Sequence, residues 1–235
     1  MGSLILTIPI FVFICAVMTI WALCIRKNLL GGLAFLAAAC IVIAPWTLRN
    51  YLLYDSFILV STAGGQALYA GNSPETQMNR WSPLPPEISR KLKEIQHPAK
   101  ADTFLREEAL KYIQKNPYRS LKNYLLKFVN YFNFKNVMAS GKDRSIYWTL
   151  NAVTYIPLLL IGIVGLFFYR RLDLQREELL LILLYILQGA FMAIFVTRLR
   201  YRLPYDALLL LFDAIVLTAY FKQKTLDVNR SVESS

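Results

Sequence analysis

Histidine and cysteine, the side chains most often found in metal and redox sites, are scarce in this sequence. One histidine and three cysteines occur among 235 residues. Cys15, Cys24 and Cys40 lie in apolar runs, without a CxxC spacing or a nearby histidine, so we interpret them as helix-packing residues. His97 stands beside a proline in a polar stretch, without a partner acid or base. We predict neither a metal site nor a disulfide framework.

Acidic residues are also few, and this imbalance bears on possible partners. The chain has 26 Lys and Arg against 15 Asp and Glu, and its net charge is +11. Residues 49–147 alone hold 15 basic against 8 acidic residues, a net charge of +7. A basic segment beside a membrane favours anionic headgroups or phosphate-bearing substrates. No nucleic-acid recognition motif accompanies the charge, so we predict no nucleic-acid partner.

Long apolar runs fill most of the remaining chain. Hydrophobic residues make up 56% of the sequence and the mean hydropathy is +0.41, which is typical of the membrane class. Five segments approach the ~20 apolar residues that a transmembrane helix needs. They are residues 4–25, 29–48, 147–169, 179–197 and 203–221. The sequence therefore predicts an α-helical polytopic membrane protein with about five transmembrane helices.

The apolar segments divide the chain into four predicted parts. Residues 1–48 form a two-helix transmembrane hairpin, residues 49–146 an external loop domain, residues 147–221 three transmembrane helices and residues 222–235 a tail. The short loops around residues 26, 170–176 and 222–230 hold eight basic residues, all on one side of five alternating helices. Because short basic loops stay in the cytoplasm, this side and the tail are predicted to be cytoplasmic.

The external loop domain is predicted to be mixed but mostly helical. Residues 57–61 suggest a short strand, and Gly64-Gly65 a turn. A short helix over residues 87–95 precedes two amphipathic helices, the first capped by Asp102 or Thr103. Asn116-Pro117 separates these two helices. The second carries an apolar stripe, and it either lies in the membrane interface or packs on the domain. The stripe consists of Leu121, Tyr124, Leu125, Phe128 and Phe132.

Four short pieces of the sequence follow one another in a notable order. They are Pro45-Trp46-Thr47-Leu48-Arg49-Asn50-Tyr51, Ser61-Thr62-Ala63-Gly64-Gly65, Leu68-Tyr69-Ala70-Gly71-Asn72-Ser73-Pro74 and Arg200-Tyr201-Arg202-Leu203-Pro204. In this order they resemble the C-terminal half of family 39-type glycosyltransferases with the GT-C membrane fold. That group includes bacterial relatives of protein mannosyltransferases and the lipid A aminoarabinose transferases. The resemblance covers residues 31–221 and implies a partial GT-C-like fold.

The resemblance also implies a function at the outer face of the membrane. Such enzymes transfer a sugar from a polyprenyl-phosphate donor, which is therefore the expected substrate, and no other cofactor is predicted. Their catalytic acidic residue lies in the first external loop, and no such loop follows the first apolar segment here. We therefore expect the C-terminal part of such a transferase, inactive alone, and assign no catalytic residue. The alternative is a noncatalytic membrane subunit or degenerate relative that binds lipid phosphate.

Partners and location follow from the same reasoning. The expected partners are membrane lipid, a lipid-linked sugar and an N-terminal half or partner subunit. The expected location is the cytoplasmic membrane of a bacterium or an archaeon. An unrelated small transporter or assembly factor is a third interpretation, and the lack of inverted repeats counts against transport.

Three arginines at alternate positions form the candidate lipid-phosphate site. Arg198, Arg200 and Arg202 would share one face if this stretch were extended, whereas a helix would point them in three directions. The planar guanidinium fork suits phosphate, and Tyr201 and Asp206 are the predicted supporting residues. The alternative interpretation is a set of snorkelling arginines held by lipid headgroups.

Two carboxylates lie on the last apolar segment, seven positions apart. Asp206 is expected to pair with Arg200 or Arg202 and orient it, since carboxylates at membrane depth usually face protein or water. Asp213 has no evident partner in the sequence and is expected to be protonated or to bond with Gln188.

Overall fold

The structure is a computed structural model, and it describes residues 1–78, 81–135 and 145–233. These residues form helices and connecting loops, without a strand. The helices are α1 (Gly2–Thr7), α2 (Phe11–Ile20), α3 (Leu29–Tyr54), α4 (Gly64–Gly71), α5 (Pro86–Glu94), α6 (Pro98–Lys115), α7 (Pro117–Tyr131), α8 (Ser145–Phe167), α9 (Arg176–Met192) and α10 (Leu199–Glu233). Residues 79–80 and 136–144 of the predicted external domain and the last two residues of the predicted tail lie outside the described residues.

Among the described residues, three helices are long and apolar enough to cross a membrane. They are Leu29–Tyr54, Ile146–Phe167 and Leu199–Thr225, and Phe11–Ile25 is a shorter apolar helical segment. The chain is an α-helical membrane protein, as the composition predicts. Two of these helices are longer than expected, because α3 continues past residue 48 and α10 continues through much of the predicted tail.

The chain forms two compact units. The first unit contains Met1–Lys127 and Phe191–Val196, and the second contains Phe128–Ala190 and Thr197–Ser235. The first therefore combines the N-terminal helices with most of the predicted external domain.

The first apolar segment is broken, so the predicted uninterrupted helix over residues 4–25 is wrong. Ile8 has an extended backbone (φ −135°, ψ 94°) between α1 and α2. Pro9 follows it, and proline both lacks an N–H for the helical ladder and disfavours the helical conformation of the preceding residue. After α2 the chain continues as a π-helix over Trp21–Ile25.

The predicted strand over residues 57–61 is wrong. These residues form an irregular segment after Asp55, which ends the helix with a φ of 44°. Polar side chains of α3 satisfy the carbonyl groups of the segment, which a strand partner would otherwise bind. The bonds run from Trp46 Nε1 to Val60 (2.9 Å), from Thr47 Oγ1 to Leu59 (2.8 Å) and from Asn50 Nδ2 to Ile58 (3.2 Å).

Close packing between α4 and α6 shapes the rest of the first unit. A Cβ atom at Gly65 would lie 2.0 Å from the Asp102 carbonyl oxygen, so only glycine permits this approach. The Gly65 N–H donates to Asp102 Oδ1 at 2.5 Å. Gly64-Gly65 therefore begins a helix, and the predicted turn there is wrong. Tyr69, Leu105 and Ala109 form the small hydrophobic core beside this contact.

Some boundaries within the predicted external domain agree with the sequence patterns. The short helix before His97 and the break at Asn116-Pro117 are confirmed. The predicted cap by Asp102 or Thr103 is wrong, because α6 begins at Pro98 and His97 precedes it. The His97 Nδ1 atom accepts from the Lys100 N–H at 3.4 Å. Proline suits the first helical position because that N–H has no helical partner.

In the second unit, α8 and α10 pack through small residues of α8. A Cβ atom at Gly162 would lie 2.8 Å from a Leu209 methyl group, and one at Gly165 would lie 2.3 Å from a Val216 methyl group. Glycine lets helices approach closely where both are surrounded by lipid.

Candidate functional site

The candidate arginines lie at the start of α10. Arg198 directly precedes the helix, and Arg200 and Arg202 belong to its first turns. At 3.6 residues per turn, side chains two positions apart point in different directions. The helical alternative is therefore the observed one, and the three guanidiniums do not share a face.

Arg202 is buried, and its guanidinium contacts other residues of the second unit. Its Nε lies 3.0 Å from Asp206 Oδ1, one helical turn later. Its Nη1 donates to the carbonyl oxygens of Tyr131 and Asn133 at 3.1 and 2.8 Å. The guanidinium carbon lies 3.5 Å from the centre of the Tyr155 ring. These contacts make Arg202 a structural centre of the second unit, and the predicted pairing with Asp206 is confirmed.

Two tyrosines complete the network around Asp206. The Tyr185 hydroxyl donates to Asp206 Oδ1 at 3.1 Å, and the Tyr155 and Tyr185 hydroxyls lie 2.8 Å apart. Tyr185 is completely buried. A buried carboxylate needs such partners, because an isolated charge away from water is costly. The carboxylate of Asp206 therefore orients Arg202, and Tyr185 holds the carboxylate.

Arg198 and Arg200 differ from Arg202 in their surroundings. Arg200 is exposed, with its guanidinium carbon 4.8 Å from the centre of the Tyr201 ring. Its Nη2 donates to the Tyr201 hydroxyl at 2.7 Å, so the predicted supporting role of Tyr201 has a direct contact. Arg198 is half-buried. Within the described parts of the chain, neither arginine forms an ion pair with a carboxylate.

Asp213 and Gln188 are both buried but do not bond to each other, so the predicted bond is wrong, and the alternative of a protonated Asp213 stays a prediction. Their polar side-chain atoms have no hydrogen-bond partner among the described residues. The positions of Gln188 on α9 and Asp213 on α10, relative to the contact between Tyr185 and Asp206, explain why the two side chains are apart. Tyr185 contacts Asp206, and a short connection joins the end of α9 to the start of α10. Gln188 therefore lies toward that connection, and Asp213 lies about 10 Å along α10 in the opposite direction.

Lys127 forms a second cluster, in the first unit, which the sequence analysis missed. Its Nζ is surrounded by oxygen atoms from two segments, and only 2% of the residue is exposed. The acceptors are Gly71 O (2.8 Å), Phe195 O (2.9 Å), Asn72 Oδ1 (3.3 Å) and Ile194 O (3.4 Å). Burial lowers the pKa of Lys127 to about 8. The sequence places Lys127 opposite the apolar stripe of α7, and the pattern leaves open which of the two sides is buried.

The Lys127 cluster explains why α9 is shorter than predicted. The helix ends at Met192, whereas the apolar run continues to residue 197. The Asn72 Nδ2 group donates to the Ile194 carbonyl at 2.7 Å, beside the bonds from Lys127. A Cβ atom at Gly71 would lie 2.1 Å from the Phe195 carbonyl oxygen. The segment that follows α9 thus packs against Gly71 and Asn72.

No group of three or more His, Cys, Asp or Glu side chains that could hold a metal ion occurs in the parts described. The imidazole of His97 makes structural bonds, since its Nε2 lies 2.7 Å from the Tyr54 carbonyl oxygen.

Comparison with protein-family models, with curated proteins and with solved structures finds no match for this chain. The resemblance of its four short pieces to GT-C glycosyltransferases therefore stays a prediction. In the structure Gly65 of the second piece contacts Asp102, and the other three pieces take part in three local arrangements. They are the end of α3 against residues 58–60, the Lys127 cluster and the arginines at the start of α10.

Proposed function

We propose that this chain is the C-terminal part of a GT-C-type glycosyltransferase and binds the phosphate of a polyprenyl-phosphate sugar at the outer membrane face. Arg198 and Arg200 bind the phosphate, and Arg202 positions them by fixing the first turns of α10. This division of roles refines the prediction that all three arginines act together.

The contrast between Arg200 and Arg202 is the observation that carries the proposal. Arg202 is buried on Asp206 and two carbonyl groups, whereas Arg200 is exposed and rests on the Tyr201 ring. A stacked guanidinium is held in place while its outer N–H groups remain open to an anion. With Arg198 next to it, two cations without a carboxylate partner among the described residues stand at one helix start. Backbone N–H groups there also favour an anion.

The test is polyprenyl-phosphate binding by the detergent-solubilised full chain. Arg200→Ala is expected to weaken binding by about 1–3 kcal/mol, the scale of a charge-assisted hydrogen bond. Arg200→Lys is expected to restore only part of the loss, because an ammonium lacks the planar fork. Melting temperatures of both variants are expected to equal that of the parent.

Arg170→Ala is the matched control. Arg170 is also exposed on a neighbouring tyrosine, with its Nε 2.9 Å from the Tyr169 hydroxyl, but it precedes α9 rather than α10. The substitution Arg170→Ala removes the same charge as Arg200→Ala, and polyprenyl-phosphate binding is expected to stay unchanged. Equal losses for Arg170→Ala and Arg200→Ala would indicate general charge attraction and would leave only the snorkelling interpretation.

A noncatalytic role is the second candidate, and the state of Asp206 favours it for the isolated chain. Its carboxylate is engaged by Arg202 and Tyr185, so it is not free to act as a general base. The isolated chain is therefore expected to bind donor without consuming it. Donor consumption should be followed for the chain alone and with a co-expressed N-terminal half. Turnover by the chain alone would contradict this assignment and direct attention to acidic residues of the predicted external loop domain, first of all Asp55 and Glu75.

A further inference from the structure

Helix α7 buries a side that carries polar residues and exposes its apolar side. The side that packs inward carries Ser120, Lys127 and Tyr131, all of them buried. Lys127 in particular is held by four oxygen atoms of the first unit. These bonds of Lys127 hold the inward side of α7 in place and so determine the rotation of the helix about its own axis.

The opposite side of α7 is apolar and exposed. Tyr118, Leu121, Leu125 and Val129 are 81%, 59%, 54% and 68% exposed, respectively. Their spacing of three and four residues places them in one stripe along three turns, on the side away from Lys127. Of the predicted stripe, Leu121 and Leu125 belong to this exposed face. An apolar helix face that is turned away from the protein marks an interaction surface.

We propose that α7 lies in the membrane–water interface and binds an anionic lipid surface through this stripe. In the first unit, Leu29–Tyr54 is long and apolar enough to cross a membrane, which would place a bilayer beside this unit. A helix that is apolar on one side and cationic at its borders buries that side at the boundary between headgroups and acyl chains.

The charges of α7 select a lipid surface as the partner. Arg119 and Lys122 of this helix are exposed, the helix contains no acidic residue, and Lys115 lies two positions before its first residue. Lys122 is exposed beside the apolar stripe. Each cation near an anionic membrane surface is attracted to it. A second copy on the same face would instead bring Arg119 and Lys122 of both copies together without a carboxylate on either helix.

The attachment also has a consequence for the Lys127 cluster. The same helix that binds lipid on one side holds Gly71 and Asn72 on the other. The loop after α4 is therefore kept next to the headgroup layer by α7. This inference does not depend on sugar transfer or on the arginines of α10.

The test measures membrane depth on the full chain in nanodiscs that contain a single copy. Cys15, Cys24 and Cys40 are replaced, and a nitroxide is attached at Leu125→Cys or, as the matched control, at Gln114→Cys. Gln114 is exposed on α6 and lies shortly before α7. The label at 125 is expected to collide preferentially with oxygen, which partitions into lipid, and the label at 114 with an aqueous nickel complex. Preferential aqueous collision at both positions would overturn the proposal. Protection at 125 from both reagents would overturn it as well, because it would mean burial against protein.

Lipid composition tests the electrostatic part. Nanodiscs of phosphatidylcholine alone are compared with nanodiscs that contain phosphatidylglycerol. The label at 125 is expected to lie deeper in the anionic discs, and Lys122→Gln is expected to reduce that difference. Lys93→Gln, on α5, is the charge-matched control and is expected to leave it unchanged. Equal depth in both lipids would overturn the anionic preference.

Discussion

Arg202 shows how one residue can have a charge suited to a ligand and yet serve the fold. Its guanidinium is surrounded by Asp206, the Tyr155 ring and two carbonyl oxygens. From the sequence it could not be distinguished from Arg200, because both occur in the same piece. What separates them is the helical direction of each side chain and the tyrosines of α8 and α9, which the local sequence does not contain.

Removing one member of the Arg202–Asp206 pair is expected to be costly. Arg202→Ala leaves a buried carboxylate without its cation, and a broken buried pair costs about 3–5 kcal/mol. The double variant Arg202→Met with Asp206→Leu removes both charges and is expected to recover most of that loss. Thermal unfolding in detergent measures both effects, with Arg200→Ala as the control. A double variant less stable than Arg202→Ala would contradict this description of the pair.

Lys127 makes stability depend on pH in the alkaline range. Burial lowers its pKa to about 8, whereas the ordinary value is 10.5. Between these values the unfolded chain binds more protons, so the free energy of unfolding rises with pH. The rise contributed by Lys127 is at most about 3 kcal/mol, from 1.36 kcal/mol per pKa unit.

The measurement is the melting temperature at pH 7.5 and pH 10.5 for the parent, Lys127→Met and the exposed control Lys122→Met. Other groups also titrate in this range, so the quantity of interest is the difference between each variant and the parent. Lys127→Met is expected to reduce the rise with pH, and Lys122→Met to preserve it. An unchanged rise in Lys127→Met would contradict the assigned pKa.

At the scale of elements, the contact between α4 and α6 depends on one glycine of an adjacent pair. A Cβ atom at Gly65 would meet the Asp102 carbonyl oxygen at 2.0 Å, whereas one at Gly64 would meet no atom within 4 Å. Gly65→Ala is expected to lower the melting temperature, because α6 must move away. Gly64→Ala is expected to be neutral or stabilising by up to about 1 kcal/mol, as alanine favours helix. Equal effects of the two substitutions would show that the helices do not approach as described.

Helix positions were largely predictable from the sequence, since apolar length and proline placement determine them locally. The break at Asn116-Pro117 and the short helix before His97 are examples. Errors arose where distant residues act. The irregular conformation of residues 57–61 depends on hydrogen-bond donors in the side chains of α3. The end of α9 depends on hydrogen bonds from Asn72 and Lys127. The rotation of α7 was open because an apolar stripe fits a protein core and a bilayer equally well.

For the whole molecule, the predicted orientation places Ser89 outside and Gln175 in the cytoplasm. In a cysteine-free background, Ser89→Cys is expected to react with an impermeant maleimide in intact cells. Gln175→Cys is expected to react only after the cells are permeabilised. The reverse labelling pattern would contradict the orientation and the proposed outer-face site together.

The central claim is that lipid phosphate binds at the start of α10. Photo-crosslinking tests it most directly, with a polyprenyl phosphate that carries a diazirine on the isoprene unit next to the phosphate. The full chain is irradiated with this probe in nanodiscs, and the modified peptides are identified by mass spectrometry. Crosslinks are expected within residues 197–203 and are expected to be lost in Arg200→Ala but kept in Arg170→Ala. Crosslinks confined to residues 168–176, or unaffected by Arg200→Ala, would contradict the claim.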